Sequence, residues 1–149
     1  MSAVPALDVD AIVARMPYRY PATLVDRVVE CVAGERIRAL KWVTMNEEYF
    51  QGHFPGYPVM PGVLVIEALT QLSGVLAVAS GLVNADGAPR VNFVGIDACR
   101  FKRQVIPGDA LTLESEWKPG DARSGRFEVR ALVDGQLAAE AALLVELLP

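Results

Sequence analysis

Histidine is almost absent from this chain: among 149 residues there is one, His53. Cysteine is nearly as scarce, with only Cys31 and Cys99, far apart and without histidines nearby. That excludes a disulfide framework and a zinc site of the usual Cys/His spacing, so both are expected to be reduced, buried thiols. No excess of positive charge exists either. Lys and Arg number 14 against 18 Asp and Glu, a net charge of -4, which argues against bulk binding to nucleic acid or to an anionic membrane. Residues 1–10 lack a basic n-region followed by an apolar core, so no signal peptide is expected and the cytoplasm is the expected compartment. Internal repeats, low-complexity runs and linkers are missing too, which points to a single domain over 1–149. No metal or cofactor motif stands out.

What the chain does have is concentrated in residues 51–74, QGHFPGYPVMPGVLVIEALTQLSG. Its first half is punctuated by Gly52, Pro55, Gly56, Pro58, Pro61 and Gly62, a density of Gly and Pro that no regular element tolerates. From 63 to 79 the punctuation gives way to Leu, Val, Ile and Ala, which predicts a helix with Pro61 and Gly62 at its mouth. Glu67, Thr70, Gln71 and Gly74 fall on one stripe of that helix. A lone histidine in such a loop can be a plain turn residue, and a helical glutamate is ordinarily a solvated face. Here the helix is too apolar to lie on a surface, and a buried ionised carboxylate costs several kcal/mol unless paired or hydrogen-bonded. Glu67 therefore belongs to a cavity or an interface. The helix also approaches the ~20 residues needed to span a bilayer. Its polar residues and the lack of flanking basic residues favour a buried helix of a soluble protein, with no membrane partner.

Around this centre, 8–16 predicts a short helix with Asp8 as N-cap and Pro17 as its stop. Residues 18–21 form an extended lead-in. Strands are predicted over 24–32 and 36–44, joined by a turn at Ala33-Gly34-Glu35; in the second, Arg36, Arg38, Leu40 and Trp42 oppose Ile37, Ala39, Lys41 and Val43, so the alternation is imperfect. Residues 46–50 suggest one helical turn. Four further strands are expected over 90–106, bent near Gly95, then 110–118, 125–133 and 136–147, with a tight hairpin at Asp134-Gly135. About six antiparallel strands and one helix apolar nearly all round have a simple solution, in which the sheet curls around the helix. This is the α+β hotdog fold. A hydrophobic content of 52% is high for a small soluble monomer and points to surface buried between subunits.

The stretches PATLVDRV (21–28), GHFPGYPVMPGVLVIEALTQ (52–71), GIDACRFKRQVIPGD (95–109) and VDGQLAAEAA (133–142) resemble the (3R)-hydroxyacyl-acyl carrier protein dehydratases of the FabZ type. The resemblance covers nearly the whole chain. It implies that His53 and Glu67 are the catalytic pair, that the Gly62 N–H faces the thioester, and that the partner is an acyl carrier protein bearing a 3-hydroxyacyl chain. It also implies a homodimer, often within a trimer of dimers, whose sites take histidine from one subunit and acid from the other. Three positions depart from the family's pattern: Tyr18 in place of histidine, Asn92 in place of a tyrosine, and Gln104 in place of proline. Asn92 bears on the gate of the acyl tunnel and so on chain-length preference.

The chemistry wants these residue types. Eliminating water from a 3-hydroxyacyl thioester means taking a weakly acidic proton from C2 and expelling hydroxide from C3. Free imidazole titrates near ~6.5 and can act as a base at cytoplasmic pH. Glu67 would donate a proton to the leaving hydroxyl or only orient groups while His53 shuttles the proton alone; the residues allow both. Charge on the thioester oxygen needs a donor, which the free N–H groups at the helix start around Gly62 and Val63 can supply. Gln71, one turn beyond Glu67, can fix its carboxylate or bond across a dimer. Phe54, Val59, Met60, Leu64 and Phe93 are candidates for lining an acyl tunnel, or are simply core. Arg100, Lys102 and Arg103 form a cluster suited to an acidic carrier, and equally suited to a solvated strand edge. Two other functions fit a hotdog chain: an acyl thioesterase, and a non-catalytic carrier-binding subunit.

Overall fold

The computed structural model describes residues 3–4, 7–17 and 22–149, apart from the side chains of 3, 4 and 9. The expected lead-in at 18–21, with Tyr18, lies outside the described residues. The first helix, α1 (Val9–Arg15), starts where Asp8 accepts the Ala11 N–H at 3.0 Å, and it anchors itself through buried Ile12.

After the two-residue strand β1 (Ala3–Val4) and α1 come β2 (Arg27–Val32), β3 (Arg36–Trp42), a 3-10 turn (Glu48–Gln51), the long helix α2 (Gly62–Ala79), and then β4 (Val91–Phe101), β5 (Ala110–Pro119), β6 (Ser124–Val133) and β7 (Gln136–Leu147). All pairings are antiparallel, in the order β1-β2-β3-β5-β6-β7-β4. The six expected strands are present, with β1 as a short addition beside β2. The β6–β7 hairpin turns at Asp134 and Gly135, both at positive φ (51° and 77°), which matches the right-handed twist of the strands it joins.

The strand expected over 36–44 ends at Trp42, most other bounds agree within a residue, and two differ by more. Residues 24–26 do not enter the ladder as a strand, because the Leu24 N–H goes to the Gln71 side chain, leaving β2 to start at Arg27. The strand expected to reach 106 stops at Phe101: past that point the Val105 carbonyl accepts the Met60 N–H at 2.8 Å, so this segment supports the Gly/Pro-rich loop instead. Within β4 the register shifts between Phe93 and Gly95, at the expected bend, and again between Asp97 and Arg100, where Ala98 takes φ 50°. β4 is the outer edge of the sheet, and Val94 and Ile96 on it are more than half exposed.

The core is the space between the curled sheet and α2. Val65, Ile66, Ala68, Leu69, Leu72, Val75 and Leu76 of the helix are buried, packed chiefly against β5 and β3. By length and composition α2 could cross a membrane, yet this burial makes it the centre of a folded unit. Its inward polar groups are matched: Ser73 Oγ lies 2.8 Å from Ser115 Oγ and donates to the Leu69 carbonyl or to its neighbour. Cys31 is buried, which pushes its thiol pKa up, whereas Cys99 is exposed on β4, contrary to expectation, because the bulge there leaves it off the core face. The imperfect alternation of β3 resolves with Ile37, Ala39 and Lys41 all inward.

Leu72 is fully buried at the middle of α2. Leu72→Ala is expected to lower unfolding free energy by ~2–5 kcal/mol, read as a shift of the urea midpoint at unchanged slope.

Candidate functional site

His53 stands two residues past the 3-10 turn, after Gly52, and its N–H bonds to the Tyr49 carbonyl at 3.2 Å. The loop then closes on itself. Phe54 and Tyr57 exchange backbone hydrogen bonds of 2.9 and 2.8 Å, and the Val59 N–H returns to the His53 carbonyl at 3.0 Å. The His53–Phe54 peptide is cis, and the two rings stack with centroids 4.0 Å apart. The Tyr57 hydroxyl donates to Gln104 Oε1 at 2.8 Å, so one of the departing residues ties this loop to the segment after β4.

The imidazole itself is fixed in orientation and tautomer. His53 Nδ1 lies 2.8 Å from the Val59 carbonyl oxygen, which can only accept. Nδ1 therefore carries the proton, and in the neutral ring the lone pair stands on Nε2.

Glu67 sits in the second turn of α2, half-buried, and lines a cavity of about 940 Å³ together with Thr23, Lys41, Trp42, Glu47 and Tyr49. Gln71 Nε2 reaches its Oε1 at 3.2 Å. The same Gln71 side chain donates to the Ala22 carbonyl at 2.7 Å and accepts from the Leu24 N–H at 2.8 Å. It is 1% exposed, so its polar atoms are engaged within this chain. With its amide oxygen and nitrogen both engaged inside the chain, Gln71 braces Glu67 and the 22–24 segment, the first of the two roles its place one turn beyond Glu67 offered.

At the other end of the helix, Gly62, Val63, Val59 and Met60 line a second, apolar cavity of about 530 Å³ with Phe101 and Val105. The Gly62 and Val63 N–H groups find no acceptor among the described residues. A Cβ on Gly62 would stand 2.7 Å from the Phe101 ring. Glycine is needed there first to seat Phe101, a neighbour that sequence reasoning did not single out.

The described residues do not join His53 and Glu67 within one chain: no hydrogen bond connects them, and Glu67 opens on the first cavity while the helix mouth opens on the second. Gly62 and Glu67 point about 140° apart around the axis, at 3.6 residues per turn. Beside the helix mouth, Phe54, Val63 and Phe101 are 51%, 75% and 55% exposed. Of the other tunnel candidates, Leu64 lines the first cavity, while Phe93 lines neither and packs on Phe127 with centroids 6.1 Å apart. Asn92 is exposed on the edge strand. Lys102 and Arg103 border the second cavity; Arg103 is engaged with Gln136 and Asp109, whereas Arg100 and Lys102 are exposed and make no ion pair among the described residues.

Lys41 was not singled out from the sequence although its position opposite Arg36 and Arg38 put it on the apolar face. It is buried in the first cavity's wall and pairs with Glu47 at 2.6 Å. Burial, and then the Glu47 carboxylate, push the Tyr49 phenol well above its ordinary pKa, so it stays protonated.

The FabA-like domain family is matched over residues 16–142. The chain belongs to the FabA-like family. Relatives named 3-hydroxyacyl-[acyl-carrier-protein] dehydratase FabZ include that of Listeria welshimeri, 48% identical over 141 residues with 95% of this chain and 96% of the relative covered, and that of Chromobacterium violaceum, 50% identical over 139 residues with 93% and 92% covered. The FabZ-type resemblance read from the motifs holds. Among solved structures, a chain of the dehydratase heterocomplex ApeI:P from Xenorhabdus doucetiae superposes with a TM-score of 0.73 at 18% identity, covering 93% of this chain and 91% of that one. A chain described as a hypothetical thioesterase protein with coenzyme A, from Streptococcus pneumoniae, reaches 0.62 at 12% identity, covering 78% and 80%. At those identities both show the hotdog fold of this FabA-like chain and nothing of its chemistry.

Because this FabA-like chain has one histidine, its imidazole can be read without assignment. Long-range 15N–1H spectra in the neutral range are expected to show protonated Nδ1 and bare Nε2; the reverse pattern would contradict the Val59 bond.

Proposed function

We propose that this protein dehydrates (3R)-3-hydroxyacyl thioesters on acyl carrier protein to trans-2-enoyl thioesters, in fatty acid or related acyl-chain biosynthesis in the cytoplasm. The observation that carries the reading is the His53 imidazole, locked by Val59 so that its basic nitrogen is free, in a FabA-like chain about half identical to named FabZ dehydratases.

His53 Nε2 takes the C2 proton. The unpaired N–H groups at Gly62 and Val63, at the positive end of the α2 dipole, receive the charge that develops on the thioester oxygen. The C3–O bond breaks as the hydroxyl gains a proton and leaves as water. When Glu67 supplies that proton, its carboxyl is restored from the imidazolium through solvent; when His53 returns its own, Glu67 holds the hydroxyl in place. Phe54 and Val63 border the acyl chain's path at the apolar helix mouth.

The two faces of α2 support a shared site, with Glu67 coming from a second copy to meet His53. The exposed apolar patch of Phe54, Val63 and Phe101 is the surface such a homodimer would cover, and a trimer of dimers would extend it. The acid carrier would meet Arg100, Lys102 and Arg103 near the second cavity.

The test is to supply 3-hydroxyacyl carrier protein and follow the ultraviolet absorbance of the enoyl thioester. His53→Ala is expected to lose at least ~100-fold and Glu67→Gln to be severely impaired. Mixing the two inactive variants and allowing subunits to exchange is expected to restore about a quarter of wild-type activity, since half of randomly assorted dimers then hold one intact site of two. Release of free thiol in place of enoyl product would make it a thioesterase, and binding of the carrier without either product would make it a non-catalytic subunit.

For the carrier surface, Lys102→Glu is expected to raise KM for the carrier-bound substrate several-fold, leave kcat near wild type, and flatten the salt dependence of kcat/KM.

A further inference from the structure

The pair Lys41–Glu47 is the most buried ion pair among the described residues, with side chains 5% and 20% exposed; the next, Arg103–Asp109, is at 32% and 15% and spans 3.9 Å. An ammonium on the inner face of a strand is costly unless it is matched, and residues of similar size without charge would fill the site as well. What distinguishes this pair is where its bonds lead.

Both carboxylate oxygens of Glu47 are in use. Oε1 takes Lys41 Nζ at 2.6 Å, and Oε2 takes the Thr44 N–H at 2.9 Å. The residue thus bolts the connection after β3 to β3 itself. From Glu47 the chain of bonds continues: its carbonyl accepts the Phe50 N–H at 3.2 Å, and one residue earlier the Tyr49 carbonyl accepts the His53 N–H at 3.2 Å. The far side of the loop is held separately, by Val59 against His53 and by Met60 against Val105. Tyr49, with its phenol buried beside Glu47, stands on the same wall of the cavity that Glu67 lines.

We propose that Lys41 and Glu47 are positioning residues for His53: their buried ion pair clamps the connection between β3 and the 3-10 turn, and so sets where the imidazole stands relative to the acid it works with. The inference rests on the dehydratase reading above. Neither residue touches the reacting atoms. The Val59 bond orients the ring about its own axis, and the Lys41–Glu47 clamp places the backbone from which the ring projects. An error of about 1 Å in such placement can cost ~100-fold in rate.

Lys41→Met alone leaves a carboxylate buried without its partner and is expected to lower the unfolding midpoint. Adding Glu47→Leu removes that charge, and the double variant is expected to regain a midpoint close to wild type while kcat stays about tenfold down and KM moves less than about twofold. In the same variant, amide exchange across 49–53 is expected to quicken about tenfold, with exchange in β5–β7 unchanged. A double variant that recovers kcat along with its stability would overturn the proposal, and so would a fall in kcat with the 49–53 amides as protected as in wild type. If the double variant does not fold, Glu47→Gln takes its place: with one acceptor oxygen where Glu47 has two, it cannot hold Lys41 and the Thr44 N–H as Glu47 does, so the same drop in kcat and protection is expected, and wild-type values of both would overturn the clamp. Wild type and His53→Ala are run alongside. No turnover by wild type would sink the dehydratase reading, and the exchange measurement would still judge the clamp.

Discussion

An eighteen-residue helix with almost no face that water can be allowed to touch governs this structure. Such a helix has to be wrapped, and a sheet of twisted antiparallel strands is the element that can curl far enough to do it. Every polar group on the helix then becomes a problem with a local answer. Ser73 meets Ser115 across the core, Thr70 bonds back to the Ile66 carbonyl, and Gln71 spends its amide on residues 22 and 24 and on Glu67. Glu67, held by Gln71 through one oxygen, faces the first cavity, and the Gly62 and Val63 N–H groups have no acceptor among the described residues.

Those leftovers make the site. The burial that stabilises the fold also strips water from the helix, so the few groups not satisfied internally are held beside the two cavities, partly withdrawn from bulk solvent, where an electrostatic interaction is stronger. The loop bearing His53 is irregular, yet it is bonded at both ends and across its middle, to Val59, Tyr49 and Gln104. Its glycines and prolines make that path possible, and the hydrogen bonds make it single-valued.

Much of this could be read from residue types. Period-two runs with Gly-rich turns gave six strands in nearly correct bounds, and the unpunctuated apolar run after Pro61 gave the helix within one residue of its start. The 51–74 stretch gave the candidate site and the family, because the loop's density of Gly and Pro beside a lone histidine is uncommon in composition alone. What could not be read were contacts made between segments distant in sequence. Gln71 looked free for a partner subunit because nothing local shows that residues 22 and 24 fold back onto it, 49 and 47 positions away. Phe101 over Gly62, Phe93 against Phe127 and the extra-strand role of Val105 are of the same kind. Lys41 was hidden for a different reason: a lysine in an alternating strand is normally taken to lie outside, and here its neighbours' faces outweighed its charge.

The edge strand β4 carries a last consequence. Eleven residues long, with one acid, one base and aliphatic side chains turned outward, it has the makings of a template on which further chains would stack without end. Its two register shifts against β7 and the left-handed Ala98 break the strand into short runs, and bulges of this kind are among the ways natural sheets blunt an open edge. An uneven main-chain path thus works against endless stacking on this edge, and it does so at a distance from the core and from the groups at the helix mouth.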